Sequence, residues 1–207
     1  MVRGFKKPGL IRVAVVVGGH PYDVPGFRAL FDRIPDIDYF IQELDTWSVP
    51  QWSGQVWDQY DVHLFYNMHG YDFARGGYLS VRDDYDDGIA EAVERLGEQK
   101  QGILVLHHAL LNFVEWRENE TWNKLCNVPN RTLKSFHPNT AYKACIATAD
   151  HPITRGLHDW TWEDETFVIE EPGPESTILV STDCVNSTSA LGWVHEYRTA
   201  RVFCFQP

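Results

Sequence analysis

The chain predicts an α/β fold with a mainly parallel central sheet, and three observations predict it. Ile11 to Val17 is a continuous β-branched run ending in Gly18-Gly19-His20, the pattern of a strand buried on both faces that opens into a loop at its carboxyl end. Strand-like runs then alternate with stretches of helical periodicity through the first half. A fourth strand-like run, Ile103 to Leu106, passes directly into His107-His108-Ala109-Leu110-Leu111, a strand-to-helix junction.

The elements follow in order. Pro25 to Ile34 carries Phe27, Leu30, Phe31 and Ile34 at helical spacing, and Tyr39 to Leu44 reads as the next strand, completing a βαβ unit. Val62 to Tyr66 is a third strand, ending in Asn67-Met68-His69-Gly70. A helix is expected over Asp84 to Gly97, with Ile89, Ala92, Val93 and Leu96 on one face, within and after a short acidic cluster at Asp83, Asp84, Asp86 and Asp87. Beyond Asn119 the rhythm changes. A loop-rich stretch to Asn139 precedes short strands at Tyr142 to Ala147, Phe167 to Glu170, Thr177 to Val180, Leu191 to His195 and Val202 to Phe205, so this half is strand-rich and suits an antiparallel extension.

The chain's 207 residues suit one domain spanning 1–207. Its first residues lack a signal-peptide core and no apolar run is long enough to span a membrane, so a cytoplasmic protein is expected. Cys126, Cys145, Cys184 and Cys204 are scattered, without zinc-ribbon or redox-pair spacing, and read as reduced and mostly buried. A net charge of -11 without basic runs argues against nucleic acid, and a membrane partner is not expected either. A homo-oligomer is left open. The eight tryptophans serve either core packing or sugar stacking, with Trp116, Trp122, Trp160 and Trp162 the candidates for stacking.

Ligands of an open parallel sheet bind outside the carboxyl ends of its strands. His20 follows the first strand, His69 the third, and His107-His108 the fourth, so three histidine features meet one edge. Imidazoles suit zinc or manganese, and His20, His69 and His107 are the expected ligands of a divalent ion. His107, His108, Asp164 and Glu165 are the candidate catalytic groups, the two carboxylates serving proton transfer. His20, Asn67, Trp116 and Glu170 are the candidates for contacting substrate. Solvated acidic runs and lone structural histidines are the ordinary alternatives at each position taken singly. No GxSxG elbow, GxxxxGK[ST] loop, GxGxxG fingerprint or HExxH helix is present, so no nucleotide cofactor is expected, and none of the cysteines sits at a strand-to-helix elbow.

The segments VVGGH (16–20), YDVHLFY (60–66), GILVLHHAL (102–110), DHPITRGL (150–157) with EDETF (163–167), and ARVFCFQP (200–207) together resemble the ThuA-like family, named for trehalose utilisation. That resemblance implies a flavodoxin-like, class I glutamine amidotransferase-like three-layer sandwich. It also implies a role in sugar catabolism: metal-assisted hydrolysis or isomerisation of a disaccharide, glycoside or keto-sugar derivative, with a small-molecule sugar as partner. Amidotransferases of this fold carry a nucleophilic cysteine where this chain has His107, so glutamine hydrolysis is not expected. The family commonly continues past its last strand with a Gly-His-Asp or Gly-His-Glu segment and a helix, which the sequence up to Pro207 does not contain. A non-catalytic carbohydrate-binding or regulatory protein is the alternative. On its own, DHPITRGL also reads as a single helical turn with Asp150 capping it and Gly156 ending it.

Overall fold

A computed structural model describes residues 7–48, 59–72, 74–79 and 87–207. Its strands are β1 (Ile11–Gly18), β2 (Ile37–Glu43), β3 (Val62–Asn67), a small hairpin of β4 (Tyr71–Asp72) and β5 (Gly77–Tyr78), β6 (Gly102–Leu106), β7 (Ser135–Ile146), β8 (Trp160–Val168), β9 (Thr177–Ser181), β10 (Ala190–Tyr197) and β11 (Ala200–Phe205). The helices are α1 (Val24–Asp32), α2 (Leu44–Ser48), α3 (Asp87–Glu94) and α4 (Asn119–Cys126). A 3₁₀ turn covers His107–Leu111. Of the expected helix over Asp84 to Gly97, the first three residues lie outside the described residues, as do Asp83, Asp84 and Asp86 of the acidic cluster.

Nine strands form one sheet in the order β2-β1-β3-β6-β11-β10-β9-β7-β8. The first five are parallel to one another, and the strands beyond β11 pair antiparallel. This is the parallel core with an antiparallel extension that the alternation of patterns predicts. The central strand β1 is buried on both faces because helices and loops cover both, whereas β2 at the edge is only partly buried. Ala14, Val16, Phe65, Val105 and Cys204 pack with α3, α4 and Trp193 on one side, while Val13, Val15, Val17 and Leu64 pack with Phe31 of α1 on the other. Trp122 and Trp193 are fully buried, and each indole N–H donates to a backbone carbonyl, of Ala109 and Cys126 respectively, both at 2.9 Å.

Two expectations give way. The stretch from Asn119 to Asn139 is not mainly loop: it holds α4 and the start of β7. Its helix is short and polar outside, and only Trp122, Leu125 and Cys126 mark its buried face before Asn127 ends it in the left-handed conformation. The cysteines are free as expected, with Cys126 and Cys204 buried but Cys145 and Cys184 only partly so. The DHPITRGL segment does form one turn, with Arg155 N–H on the His151 carbonyl and Gly156 at φ +82°, though His151 Nδ1 and not Asp150 accepts the Ile153 N–H. No described helix is long and apolar enough to cross a membrane.

Gly19 sits where β1 meets β3. At φ +77° a Cβ there would stand 2.1 Å from the Met68 carbonyl oxygen, so Gly19→Ala is expected to cost about 2–3 kcal/mol, read from chemical denaturation.

Candidate functional site

The carboxyl ends of β1, β3 and β6 deliver His20, Asn67 to His69, and His107 with His108 to one edge of the sheet. His107 begins its turn at φ +52°, a left-handed backbone that histidine adopts more readily than most side chains, and this sharp exit turns the ring back over the strand ends. Its Nδ1 donates to the Gln206 carbonyl at 2.8 Å, so the residue after the last strand fixes the ring's orientation.

Glu165 arrives from the antiparallel extension. On β7 and β8, His137 pairs with Thr166 and Thr140 with Asp164, leaving Glu165 opposite both Pro138 and Asn139. This is a bulge. Proline has no N–H to give the ladder and Asn139 takes φ +53°, so the local twist re-aims Glu165 toward the histidines. Asp164 Oδ1 accepts the Glu165 N–H at 2.8 Å. Just beyond, the Phe167 carbonyl receives Gln206 Nε2 at 2.9 Å, which ties this end of β8 to the end of β11.

The outcome is a convergence on one atom. Glu165 Oε1 lies 2.7 Å from His107 Nε2 and 2.5 Å from His108 Nε2. The side chains of His107 and His108 are only 11% and 12% exposed, so the pairing is made largely out of water. Burial opposes a charge on His107, but hydrogen bonds to Glu165 and Gln206 and the nearby carboxylates hold its pKa above the ordinary value. His108 stays below its ordinary value, because burial and the neighbouring His107 outweigh Glu165. The two imidazoles hold the Glu165 carboxyl well below the usual carboxylate range.

These directions set a pH window for the metal-free protein. Glu165's stabilisation is present above the ordinary carboxyl value of 4.5 and fades as pH falls through its depressed folded value. His107's is complete below 6.5 and fades as pH rises through its raised folded value. The melting-temperature gap between wild type and Glu165→Gln is therefore expected to be widest at about pH 4.5–6.5 and to shrink on either side.

The other candidates fall around this group. His20 stands against His108 with ring centroids 5.1 Å apart, but its two nitrogens face the carbonyls of Pro21 and Tyr66 at 3.1 and 3.2 Å. Tyr66 lies roughly parallel to His107 at 6.3 Å, its hydroxyl kept protonated by burial and by the charges of Glu165 and Asp164. Asn67 is fully buried and paired with Asn112. His69 contacts Asn67 and does not join the group of His107, His108 and Glu165, whose ligand atoms lie within 4.8 Å of one another. Of the expected trio of His20, His69 and His107, only His107 belongs to this group; the bulge in β7 brings Glu165 to it, and the nitrogens of His20 face backbone carbonyls. Trp116 is 8% exposed, with its N–H on the Leu79 carbonyl, and Glu170 lies past the end of β8. Gln206, Asn112 and Tyr66 were not singled out by sequence: a backbone carbonyl leaves no side-chain signal, and paired buried amides look like loop residues.

A separate groove of about 790 Å³ opens at the amino ends of the parallel strands, lined by Val62, Leu104, Ile153, Thr177, Val194 and Phe203. It lies at the opposite end of the sheet from His107 and His108, and His151 and His195 also line it.

A protein-family model described as ThuA, trehalose utilisation, matches residues 46–207. The chain belongs to the ThuA family. Among solved structures, a ThuA-like protein of Bacteroides uniformis aligns with a TM-score of 0.67 at 11% identity, covering 99% of this chain and 84% of that one. A ThuA-like protein of Parabacteroides merdae aligns at 0.66 and 13%, covering 95% and 79%. A Thermoplasma acidophilum protein, described as one component of a GMP synthase, aligns at 0.55 and 14%, covering 95% and 83%. At these identities the likeness is one of fold, and the architecture is glutamine amidotransferase-like. A comparison with curated protein sequences finds no match. In this ThuA family member the position directly after β6 is held by His107, and the buried Cys126 and Cys204 belong to the hydrophobic core.

Proposed function

We propose that the protein is a sugar-metabolism enzyme of the ThuA type, acting by metal-assisted hydrolysis or isomerisation on a disaccharide, glycoside or keto-sugar derivative. The family supports the sugar. One observation supports the chemistry: two imidazole Nε2 atoms and a carboxylate oxygen converge within coordinating reach at a ligand-binding sheet edge.

The donor set suits a divalent ion. His107 faces an acceptor at each nitrogen, the Gln206 carbonyl and Glu165, so in the metal-free protein it is an imidazolium. His107, His108 and Glu165 would hold the ion, and the bond from His107 Nδ1–H to the Gln206 carbonyl would fix the tautomer that leaves Nε2 free to ligate. His₂Glu with an open fourth position is a catalytic ligand set. Zinc or manganese held there supplies a Lewis acid that polarises a carbonyl or acidifies water.

The chain's own groups carry the rest. Asp164 holds the Glu165 amide through Oδ1 and has Oδ2 to take or return a proton. Tyr66 offers a protonated hydroxyl on one side of the cleft, and His20 closes the gap between it and His108. The reading as a non-catalytic sugar-stacking module loses two of its platforms, since Trp116 and Trp122 are interior.

Calorimetric titration of chelator-treated protein with zinc and with manganese tests this reading. One equivalent bound, with turnover of a disaccharide, glycoside or keto-sugar appearing only in the loaded protein, is the expected result. A chain that binds neither ion overturns it.

A further inference from the structure

We infer that His69 is a neutral hydrogen-bond donor, through Nε2, to a carbonyl oxygen of the sugar substrate, and that it is not a metal ligand. This rests on the sugar reading above and names the group on the substrate that the cleft recognises.

The proton on His69 can be located from the hydrogen bonds. The His69 backbone N–H, which can only donate, lies 2.8 Å from one side-chain atom of Asn112, so that atom is the amide oxygen. The other Asn112 atom is therefore the nitrogen, and it lies 3.0 Å from Asn67, whose facing atom must be oxygen. Asn67's remaining atom is then its nitrogen. It stands 3.0 Å from His69 Nδ1, to which it donates. An imidazole that accepts at Nδ1 carries its proton at Nε2. The relay begins and ends on one residue, and Asn67 and Asn112 are both fully buried, so nothing from solvent competes with it.

Burial pulls His69 down to about 4, helped by His20 and opposed by Asp45, so the ring is neutral near pH 7. A neutral imidazole protonated at Nε2 has no lone pair there for an ion. That edge has no hydrogen-bond partner among the described residues. Gly18 lies beside the ring: a Cβ there would stand 3.3 Å from His69 Cε1 and 2.1 Å from Glu43 Oε2. The bare glycine at φ +111° therefore leaves room for the Glu43 carboxylate beside the ring. A neutral N–H with no partner among the described residues, at the sheet edge that also carries His107 and His108, suits an oxygen that gains negative charge, the carbonyl of a keto-sugar or lactone.

Nitrogen NMR of the full chain with labelled histidine, and binding of glucono-1,5-lactone as the carbonyl probe beside trehalose as the hydroxyl probe, test this. At pH 7 the His69 signals should show a protonated Nε2 and a bare Nδ1, and zinc should shift His107 and His108 but not His69. His69→Ala should weaken lactone binding about tenfold and trehalose binding less, with His69→Gln recovering most of the loss because its amide places an N–H near the same point. Denaturation midpoints establish that each variant is folded. A protonated Nδ1, a zinc-induced shift at His69, no lactone binding by wild type, or equal lactone binding by His69→Ala overturns the inference. If no ion binds anywhere while the tautomer and lactone results hold, the metal reading falls and the role of His69 stands.

Discussion

His107→Ala loses turnover of the sugar substrate and weakens zinc binding by more than about a hundredfold, a larger loss than the roughly 10–100-fold typical of residues that only support a ligand. The ring does three things at once. In the proposed metal site it supplies a donor at Nε2; it also pairs with Glu165 and links the turn after β6 to the end of β11 through Gln206. The chain still folds, because the lost bonds cost about 1–3 kcal/mol against a core of three packed clusters that the ring only borders. Glu165→Gln separates charge from shape. It keeps an oxygen near both imidazoles, lowers the pKa of His107 by removing its counter-charge, and weakens the ion less than His107→Ala does. Calorimetry with zinc and a pH titration of the histidine signals read both effects, and unchanged zinc affinity in His107→Ala would remove the group from the site.

Arg131→Met destabilises the protein by about 3–5 kcal/mol, the largest stability effect expected of a single side chain here. Arg131 is 1% exposed and has no carboxylate partner among the described residues. Its guanidinium instead donates to the carbonyls of Leu110, Asn112 and Asn119 and to the side chains of Asn119 and Asn123, at 2.7–3.3 Å. Methionine matches the stem but leaves these acceptors buried and unpaired. Arg131→Lys recovers only part of the loss, since a point-like ammonium cannot reach a fork of acceptors. The effect reaches the site, because the Leu110 and Asn112 carbonyls belong to the segment that carries His107, His108 and the Asn112 amide. Urea denaturation with unchanged m-value is the measurement, and a change below about 1 kcal/mol would show that water replaces the guanidinium.

The parallel half of the fold is legible because its strands are unambiguous. A run such as Val13 to Val17 has no polar face, so it can only lie between two layers, and His20, His69 and His107 follow from where such strands end. The antiparallel half is harder to read. The acidic Glu163-Asp164-Glu165 looks like a solvated loop, yet it lies within edge strand β8, where charge is tolerated and guards against further pairing. Pro138 speaks against a strand locally, and it is accommodated at the bulge. Helix α4 escapes notice because three apolar residues in eight give little periodicity, and its stability comes from Trp122 buried under β3 and the 3₁₀ turn.

Sequence alone determines the class of fold, the sheet edge at which His20, His69 and the His107-His108 pair gather, and the family. Those features are local: a strand's pattern, its end and the residue that follows are read within a few positions. Tertiary structure alone decides which side chains share an atom. Glu165 meets His107 across 58 positions because a bulge turns its strand, and His107 is oriented by a carbonyl 99 positions away. Asn67 and Asn112, 45 apart, decide which nitrogen of His69 holds the proton. A cluster of donor atoms and a tautomer depend on distances of a few ångströms between distant segments, and only the folded chain sets them.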